Sequence, residues 1–187
     1  MQKISEKFLG LKDSFYRKDN YQAYIAAFLA KAKGKKTVLK LSAGQGKTFI
    51  IMMLTKYHVD LKKTVSIVVP SPLLKKQMKQ YLDLYIASPL ASICTVSELK
   101  QEDKAPDVFL CDEFDFMLEN QAVTYEKSHD QKLVLCGLPP IYHSNRAYLI
   151  SATFDQYHKK LLNQVFDIEA NSIIEMKTVQ EVSTGKN

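Results

Sequence analysis

Apolar residues recur along this chain at two spacings, one typical of an amphipathic helix and one typical of a buried strand. Residues 20–33 show the helical spacing, with Ile25 and Leu29 on one face. Two further helices are predicted, one beginning near Lys47 and one over residues 75–85. Short strand-like runs are predicted at residues 37–41, 64–69, 92–96, 107–111, 147–151 and 173–176.

The order of these elements, with strands separated by helices, predicts an α/β fold. Crossovers between parallel strands are right-handed, so we expect a mostly parallel, doubly wound sheet with helices on both faces. The sheet is expected to form one domain over residues 16–178, preceded by an extension at 1–15 and followed by a tail at 179–187. Such sheets hold their chemistry at the carboxyl ends of the strands, so polar residues there are the candidates for a site.

The most informative of these positions is the segment LSAGQGKT at residues 41–48, between a predicted strand and a predicted helix. Glycines allow the backbone to wrap a phosphate, and the first N–H groups of the helix would bind it. Lys47 would supply a cation to the terminal phosphates, and the Thr48 hydroxyl would bind Mg²⁺. A strict phosphate loop has glycine where this chain has Leu41, so the match is to a looser form. The residues expected to surround the nucleotide phosphates are Ala43, Gly44, Gln45, Gly46, Lys47 and Thr48.

A second candidate is the acidic end of the strand at residues 107–111, where three carboxylates fall within four residues. Carboxylates at the end of a buried strand repel one another unless a cation lies nearby. A Mg²⁺ ion carried by the nucleotide would be that cation, with Asp112 binding it through water and Glu113 polarising the attacking water. Asp115 would make a coupling contact. The alternative interpretation of the whole segment is a solvated acidic turn.

Three segments resemble the motifs of a known family when they are taken in order. AGQGKT at residues 43–48, DEFD at 112–115 and SAT at 151–153 resemble motifs I, II and III of superfamily 2 helicases. Residues 69–77 resemble motif Ia of these proteins, and residues 95–99 resemble motif Ib. Three ordered motifs are much more specific than any one of them, and the resemblance covers nearly the whole chain.

The resemblance implies a RecA-like P-loop domain, the first motor domain of a DEAD-box-like or SecA-type ATPase. It implies ATP and Mg²⁺ as ligands and Lys47, Asp112 and Glu113 as catalytic residues, with Thr48 and Asp112 on the metal. Nucleic acid is the implied partner, and the residues implied to contact it are Pro70, Ser71, Lys75, Lys76 and Thr95. The alternative for the lysines is a solvated helix face.

Two further roles rest on the same resemblance. Gln22, together with Arg17 upstream, resembles the segment in which a glutamine selects adenine; the alternative is an ordinary surface amide. Ser151 and Thr153 would couple hydrolysis to movement; the alternative is a strand end whose hydroxyls cap the next helix.

Composition changes this picture only slightly. The formal net charge of +6 favours contact with phosphate backbones without demonstrating it. Cys94, Cys111 and Cys136 form no C-x-x-C pair, which fits the cytoplasm or another reducing compartment, and the four histidines show no zinc spacing. No apolar run is long enough for membrane insertion.

The partners remain open at this point. Nucleic acid is the first expectation, and a polypeptide is the alternative, because the D-E-x-D form of motif II also resembles the SecA preprotein translocase. A second RecA-like domain, in cis or in trans, is expected to supply the arginine finger, since the only arginines are Arg17 and Arg146 and neither lies in such a motif.

A different class of function is a non-hydrolysing, nucleotide-dependent interaction module. A kinase or small GTPase is disfavoured because no Asn-Lys-x-Asp segment is present.

Overall fold

The computed structural model describes residues 21–99, 105–119, 144–153, 155–166 and 173–176. The predicted extension and tail lie outside these ranges, as does Arg17. The elements in chain order are α1 (Tyr21–Lys31), β1 (Lys36–Leu41), α2 (Lys47–Asp60), β2 (Val65–Val69), α3 (Pro72–Tyr85), β3 (Ala91–Thr95), a 3-10 turn (Val96–Glu98), β4 (Val108–Asp112), α4 (residues 114–119), β5 (Arg146–Ser151), α5 (Gln156–Phe166) and β6 (Ile173–Met176).

The six strands form one sheet in the order β3-β2-β4-β5-β1-β6, and every neighbouring pair is parallel. The predicted parallel α/β sheet is therefore confirmed. β5 lies between β4 and β1, with Leu149 beside Cys111 on one side and beside Val38 on the other. This order brings the carboxyl ends of β1, β4 and β5 together at one edge of the sheet.

Successive residues of each strand face opposite sides, and this alternation divides the core in two. One layer lies between the sheet and α1, α2 and α3, and includes Leu39, Ile67, Leu110 and Ile150. The other layer packs Val38, Val68, Phe109 and Leu149 against α4 and against Leu162 of α5. Strands buried on both faces account for the nearly continuous apolar runs in the sequence, and helices lie on both faces as predicted.

Three helices differ from the sequence-based expectation: α3 in its first residue, and α4 and α5 because they were not predicted. α3 begins at Pro72 rather than residue 75, because the Ser71 hydroxyl accepts the Leu74 N–H and proline is suited to the first helical position. α5 was not predicted, since most of residues 156–166 are polar; among the side chains of this helix that the structure describes, His158 and Leu162 are buried. None of the helices in the described ranges is both long and apolar enough to cross a bilayer.

Candidate nucleotide site

The glycine-rich loop connects β1 to α2 at the shared edge of the sheet. Gly44 and Gly46 have φ angles of 76° and 82°, in the left-handed region that glycine enters without strain. Gly46 is the N-cap residue of α2 and provides no side chain to cap it. The first N–H groups of this 14-residue helix therefore face the loop without a side-chain acceptor, which is the arrangement that binds phosphate.

Gln22 of α1 contacts this loop through its side-chain amide. Its side chain is buried, with 5% of the residue exposed, and its amide nitrogen donates to the Gln45 carbonyl over 3.2 Å. A Cβ atom added to Gly46 would lie 2.9 Å from the same amide nitrogen. Gln22 is therefore not a surface amide, whereas its role in selecting adenine stays a prediction.

Lys47 begins α2 and forms an ion pair with Glu113 across the end of β4. The Lys47 ammonium donates to Glu113 Oε1, and the two side chains are 12% and 33% exposed. Glu113 has a φ of 49°, an uncommon left-handed conformation for a residue with a side chain. The turn after β4 therefore holds Glu113 in a strained conformation that directs its carboxylate to the phosphate loop.

Asp112 lies at the last position of β4 and is almost fully buried, with 7% exposed. Burial and the Glu113 carboxylate raise the pKa of Asp112 to about 6, while Lys47 acts in the opposite direction. The interpretation of this segment as a solvated turn is therefore wrong. Carboxylates outnumber cations beside the phosphate loop, and Asp112 with the Thr48 hydroxyl offers the oxygen ligands that Mg²⁺ prefers.

Asp115 joins motif II to the segment after β5. Ser151 Oγ donates to Asp115 Oδ1 over 2.6 Å, and the Thr153 hydroxyl donates to Oδ2. Burial raises the pKa of Asp115, but these two hydrogen bonds, together with the main-chain N–H groups of Phe116 and Asp115, outweigh it and leave the pKa below its ordinary value. The next helix is capped by Asp155, whose carboxylate accepts the Tyr157 N–H. The alternative in which the SAT hydroxyls cap that helix is therefore wrong, and the contact among the three predicted coupling residues is present.

The residues predicted to contact nucleic acid lie at the ends of β2 and β3, on the other half of the same edge. Lys75 pairs with Glu98 over 2.7 Å and lowers the pKa of that carboxyl. Thr95 is buried, and its N–H donates to Glu98 over 2.8 Å. Ser71 caps α3, Pro70 is half-buried and Lys76 is exposed. The charge of Lys75 is thus balanced within the protein.

Arg146 lies far from this edge, at the amino end of β5. Its guanidinium donates to the carbonyls of Gly34 at 2.6 Å and Leu29 at 2.9 Å, and also to that of Ala32. Its Nε donates to the Tyr148 hydroxyl, which also contacts His58. Arg146 therefore ties the end of α1 to the sheet and is placed on the opposite edge from the phosphate loop.

His158 of α5 is a buried polar residue whose contact the sequence did not reveal. Its Nε2 lies 2.9 Å from Glu119 Oε1, and its Nδ1 lies 2.9 Å from Asp155 Oδ1. The Asp155-x-x-His158 spacing at a helix start was a usable signal for the second contact, but nothing in the sequence indicated the first.

The described cavities lie elsewhere on the protein. A cavity of about 510 Å³ lies beside β2, β3 and residues 105–107, and none of the predicted site residues lines it. Within the part of the chain that the structure describes, no three His, Cys, Asp or Glu side chains are grouped to hold a metal on their own. The phosphate loop and the acidic end of β4 therefore define the candidate site.

A parallel sheet with a glycine-rich loop, a basic residue at the helix start and a buried carboxylate on the adjacent strand end defines a P-loop domain of the RecA-like type. The chain belongs to the ResIII family, described as the type III restriction enzyme, res subunit, whose model matches residues 15–175. The predicted likeness to superfamily 2 helicase-like proteins is thereby confirmed, and the chain is a helicase-like ATP-binding domain.

Solved structures share this fold at low sequence identity. A hypothetical ATP-dependent RNA helicase from Sulfolobus tokodaii has a TM-score of 0.59 at 16% identity, over 94% of this chain and 57% of its own. The Sulfolobus solfataricus SWI2/SNF2 ATPase core, solved with dsDNA, has 0.52 at 14%, over 72% and 31%. Mss116p, bound to ssRNA and AMP-PNP, has 0.51 at 15%, over 86% and 42%. The chain thus spans little more than half of the first and less of the others. No curated protein matches this sequence.

Proposed function

We propose that this chain binds ATP with Mg²⁺ and hydrolyses it, and that hydrolysis is coupled to movement on nucleic acid in concert with a second RecA-like domain. The observation that carries the proposal is the ion pair between Lys47 and Glu113, because it places the phosphate-binding cation beside the carboxylate that would activate water. The ResIII family and the DNA- and RNA-bound relatives support the choice of nucleic acid.

The proposed chemistry assigns one task to each side chain. The loop N–H groups and Lys47 bind the β- and γ-phosphates, and Thr48 and Asp112 would hold Mg²⁺, which neutralises phosphate charge. As Lys47 turns from Glu113 to the phosphates, the Glu113 carboxylate is freed to accept a proton from the attacking water. The ion pair is thus a resting arrangement that nucleotide binding opens.

Coupling and cargo contacts lie at the same edge of the sheet. Asp115 holds Ser151 and Thr153, so a displacement of the segment after β4 is passed to the segment after β5. Lys76 and the residues around Ser71 would bind a nucleic-acid backbone. Lys75 would have to break its ion pair with Glu98 before it could pair with a phosphate. A second domain would close the site with its own arginine, because Arg146 is committed to α1.

The test is nucleotide binding and turnover by the purified chain, with and without single-stranded RNA or DNA. Replacing Lys47 by methionine removes the cation but keeps the stem, and is expected to weaken ATP·Mg²⁺ binding about 10- to 100-fold. Glu113→Gln is expected to retain binding and to abolish turnover. The matched control is Lys40→Met, a partly buried lysine on β1 whose loss is expected to leave affinity unchanged.

Each result bears on a separate part of the proposal. Unchanged affinity in Lys47→Met would overturn nucleotide binding at this loop. Turnover that persists in Glu113→Gln would remove Glu113 as the base. Stimulation by a polypeptide, but not by nucleic acid, would favour the SecA-like alternative.

One observation favours a second candidate, a nucleotide-dependent interaction module that does not hydrolyse ATP. Within the described residues, the single arginine is engaged with α1 at the far edge of the sheet. Tight binding of ATP without turnover, with nucleic acid present and with excess of a partner RecA-like domain, would support this candidate. The lysine and the two carboxylates that catalysis needs are all present, which favours hydrolysis.

A further inference from the structure

α4 begins within motif II, and α5 follows the SAT segment. These two parts of the chain contact each other at two levels along α4. At the first level the Asp115 carboxylate accepts the hydroxyls of Ser151 and Thr153. At the second level, four residues further along α4, Glu119 contacts His158 of α5 over 2.9 Å. Residues four apart lie on the same face of a helix, so the two contacts are stacked along one side of α4.

The second contact is built into the start of α5. The Asp155 carboxylate accepts the N–H groups of Tyr157 and His158, which caps the helix. The His158 side chain is only 7% exposed, and its Nδ1 lies within reach of both the carboxylate and the N–H of Asp155. The ring is therefore fixed on the α5 side, and its Nε2 is directed at Glu119.

Apolar packing joins the two helices in one layer of the core. Phe114, Met117 and Leu118 of α4 are buried in the same layer of the core as Leu162 of α5. Close-packed interfaces of this kind shift between discrete arrangements rather than deforming smoothly. A change at Glu113, one residue before α4, therefore has a packed route to α5.

Building on the proposed function, we propose that His158 is a positioning residue that transmits the nucleotide state of the motif II segment to α5 through Glu119. Asp115 and the SAT hydroxyls form the inner half of this connection, and the Glu119–His158 contact forms the outer half. Nε2 is the ring nitrogen that faces Glu119, and Nδ1 faces both the N–H and the carboxylate of Asp155.

Two substitutions of His158 test the contacts of its two ring nitrogens separately. The amide nitrogen of His158→Gln reaches the position of Nε2 and can still donate to Glu119, whereas His158→Asn ends near Nδ1 and keeps only the Asp155 side. Lys160→Ala, at an exposed residue of the same helix, is the matched control. Glu119→Ala removes the contact from the other partner, and it is also combined with His158→Asn.

The measurement is amide hydrogen exchange of residues 156–166 with and without AMP-PNP and Mg²⁺, together with the nucleotide Kd. Nucleotide is expected to change exchange in α5 at least about threefold in the wild type, His158→Gln and Lys160→Ala. The change is expected to be lost in His158→Asn and Glu119→Ala, with no further loss in the double variant. Exchange of α5 without nucleotide is expected to stay as in the wild type.

The outcomes distinguish this proposal from the proposed function. Nucleotide that binds through Lys47 while α5 exchange stays constant overturns the role of His158 and leaves nucleotide binding intact. A faster exchange of α5 already without nucleotide in His158→Asn shows a purely structural contact and overturns the role as well. Absence of nucleotide binding in the wild type overturns both proposals.

Discussion

Charged and polar groups lie at both ends of the strands, at the amino edge of the sheet, where the strands begin, and at the carboxyl edge, where they end. The two edges differ in the partners that these groups have. At the amino edge, Arg146 donates to main-chain carbonyls at the end of α1 and to Tyr148, so its partners are all part of the protein. At the carboxyl edge, Asp112 and Glu113 lie beside one ammonium of the described residues, that of Lys47. A charge with complete internal partners stabilises a fold, whereas an excess of one sign leaves interactions for a ligand to complete.

The titration of the two edges follows the same division. Burial, with Arg146 and Lys63 nearby, lowers the pKa of His58 to about 4, so this ring is neutral at physiological pH. Burial and the neighbouring Glu113 carboxylate raise the pKa of Asp112 to about 6. His58 at the amino edge is thus uncharged near pH 7, whereas Asp112 at the carboxyl edge changes its charge close to that pH.

The largest expected effect is at the amino edge. Arg146→Met leaves the α1 carbonyls and the Tyr148 hydroxyl without their donor, and we expect a loss of about 2–4 kcal/mol in the free energy of unfolding. Urea denaturation measures this loss. Nucleotide affinity of the folded fraction is expected to stay within about twofold. A large drop in affinity with unchanged stability would reverse the assignment of the two edges.

A smaller effect is expected at the phosphate loop. Gly46→Ala places a Cβ on a left-handed residue and within 2.9 Å of the Gln22 amide, at a cost of roughly 1–3 kcal/mol in loop geometry and nucleotide affinity. Adding Gln22→Ala removes the clash with the new Cβ, although it also removes the hydrogen bond to the Gln45 carbonyl, so the loss in the double variant is expected to be smaller than the sum of the two single losses. Calorimetric titration of the two single variants and the double variant measures the coupling. Strictly additive losses would show that the Gln22 side chain does not restrict the space at Gly46.

The smallest effect is a pH dependence. The proposed Mg²⁺ site requires ionised Asp112, so ATP·Mg²⁺ affinity should fall about tenfold between pH 7 and pH 5, as the Asp112 carboxyl takes up its proton. The nucleotide-free fold should respond oppositely: the pKa is higher in the folded than in the unfolded state, so stability declines as pH rises from about 4 to about 6. Asp112→Asn is the control, because protonation of ATP is common to both proteins. Equal pH slopes in the two would contradict the assignment.

Sequence reasoning identified the parts of the fold and site that local pattern determines. β-branched runs predicted the strands, and a glycine-rich turn before Lys47 predicted the phosphate loop, because backbone conformation and phosphate binding both require those residue types there. The resemblance to the helicase motifs implied coupling roles for Asp115, Ser151 and Thr153, whereas their mutual contact came from the structure. Strand order itself was not predicted, since the pairing of β5 between β4 and β1 depends on contacts distant in sequence.

The residues that were missed act through partners that sequence spacing does not reveal. Arg146 contacts carbonyls more than 110 positions away, and main-chain carbonyls carry no residue-specific signal. Glu119 and His158 are 39 positions apart and meet only because α4 and α5 pack on the same face of the sheet. Lys75 was predicted as a nucleic-acid contact, and its ion pair with Glu98 was missed because the two residues are 23 positions apart.

The strand order also has a consequence for how the protein is made. The P-loop strand β1 pairs with β5 and β6, whereas β2 pairs with β3 on one side and with β4 on the other. On a ribosome that adds 5–20 residues per second, the phosphate loop emerges roughly 5–20 s before its neighbouring strand. β2, β3 and β4 can therefore assemble first, and the nucleotide site matures only when β5 is inserted between β4 and β1. We expect nascent chains that stop before residue 146 to be retained by chaperones and not by immobilised nucleotide.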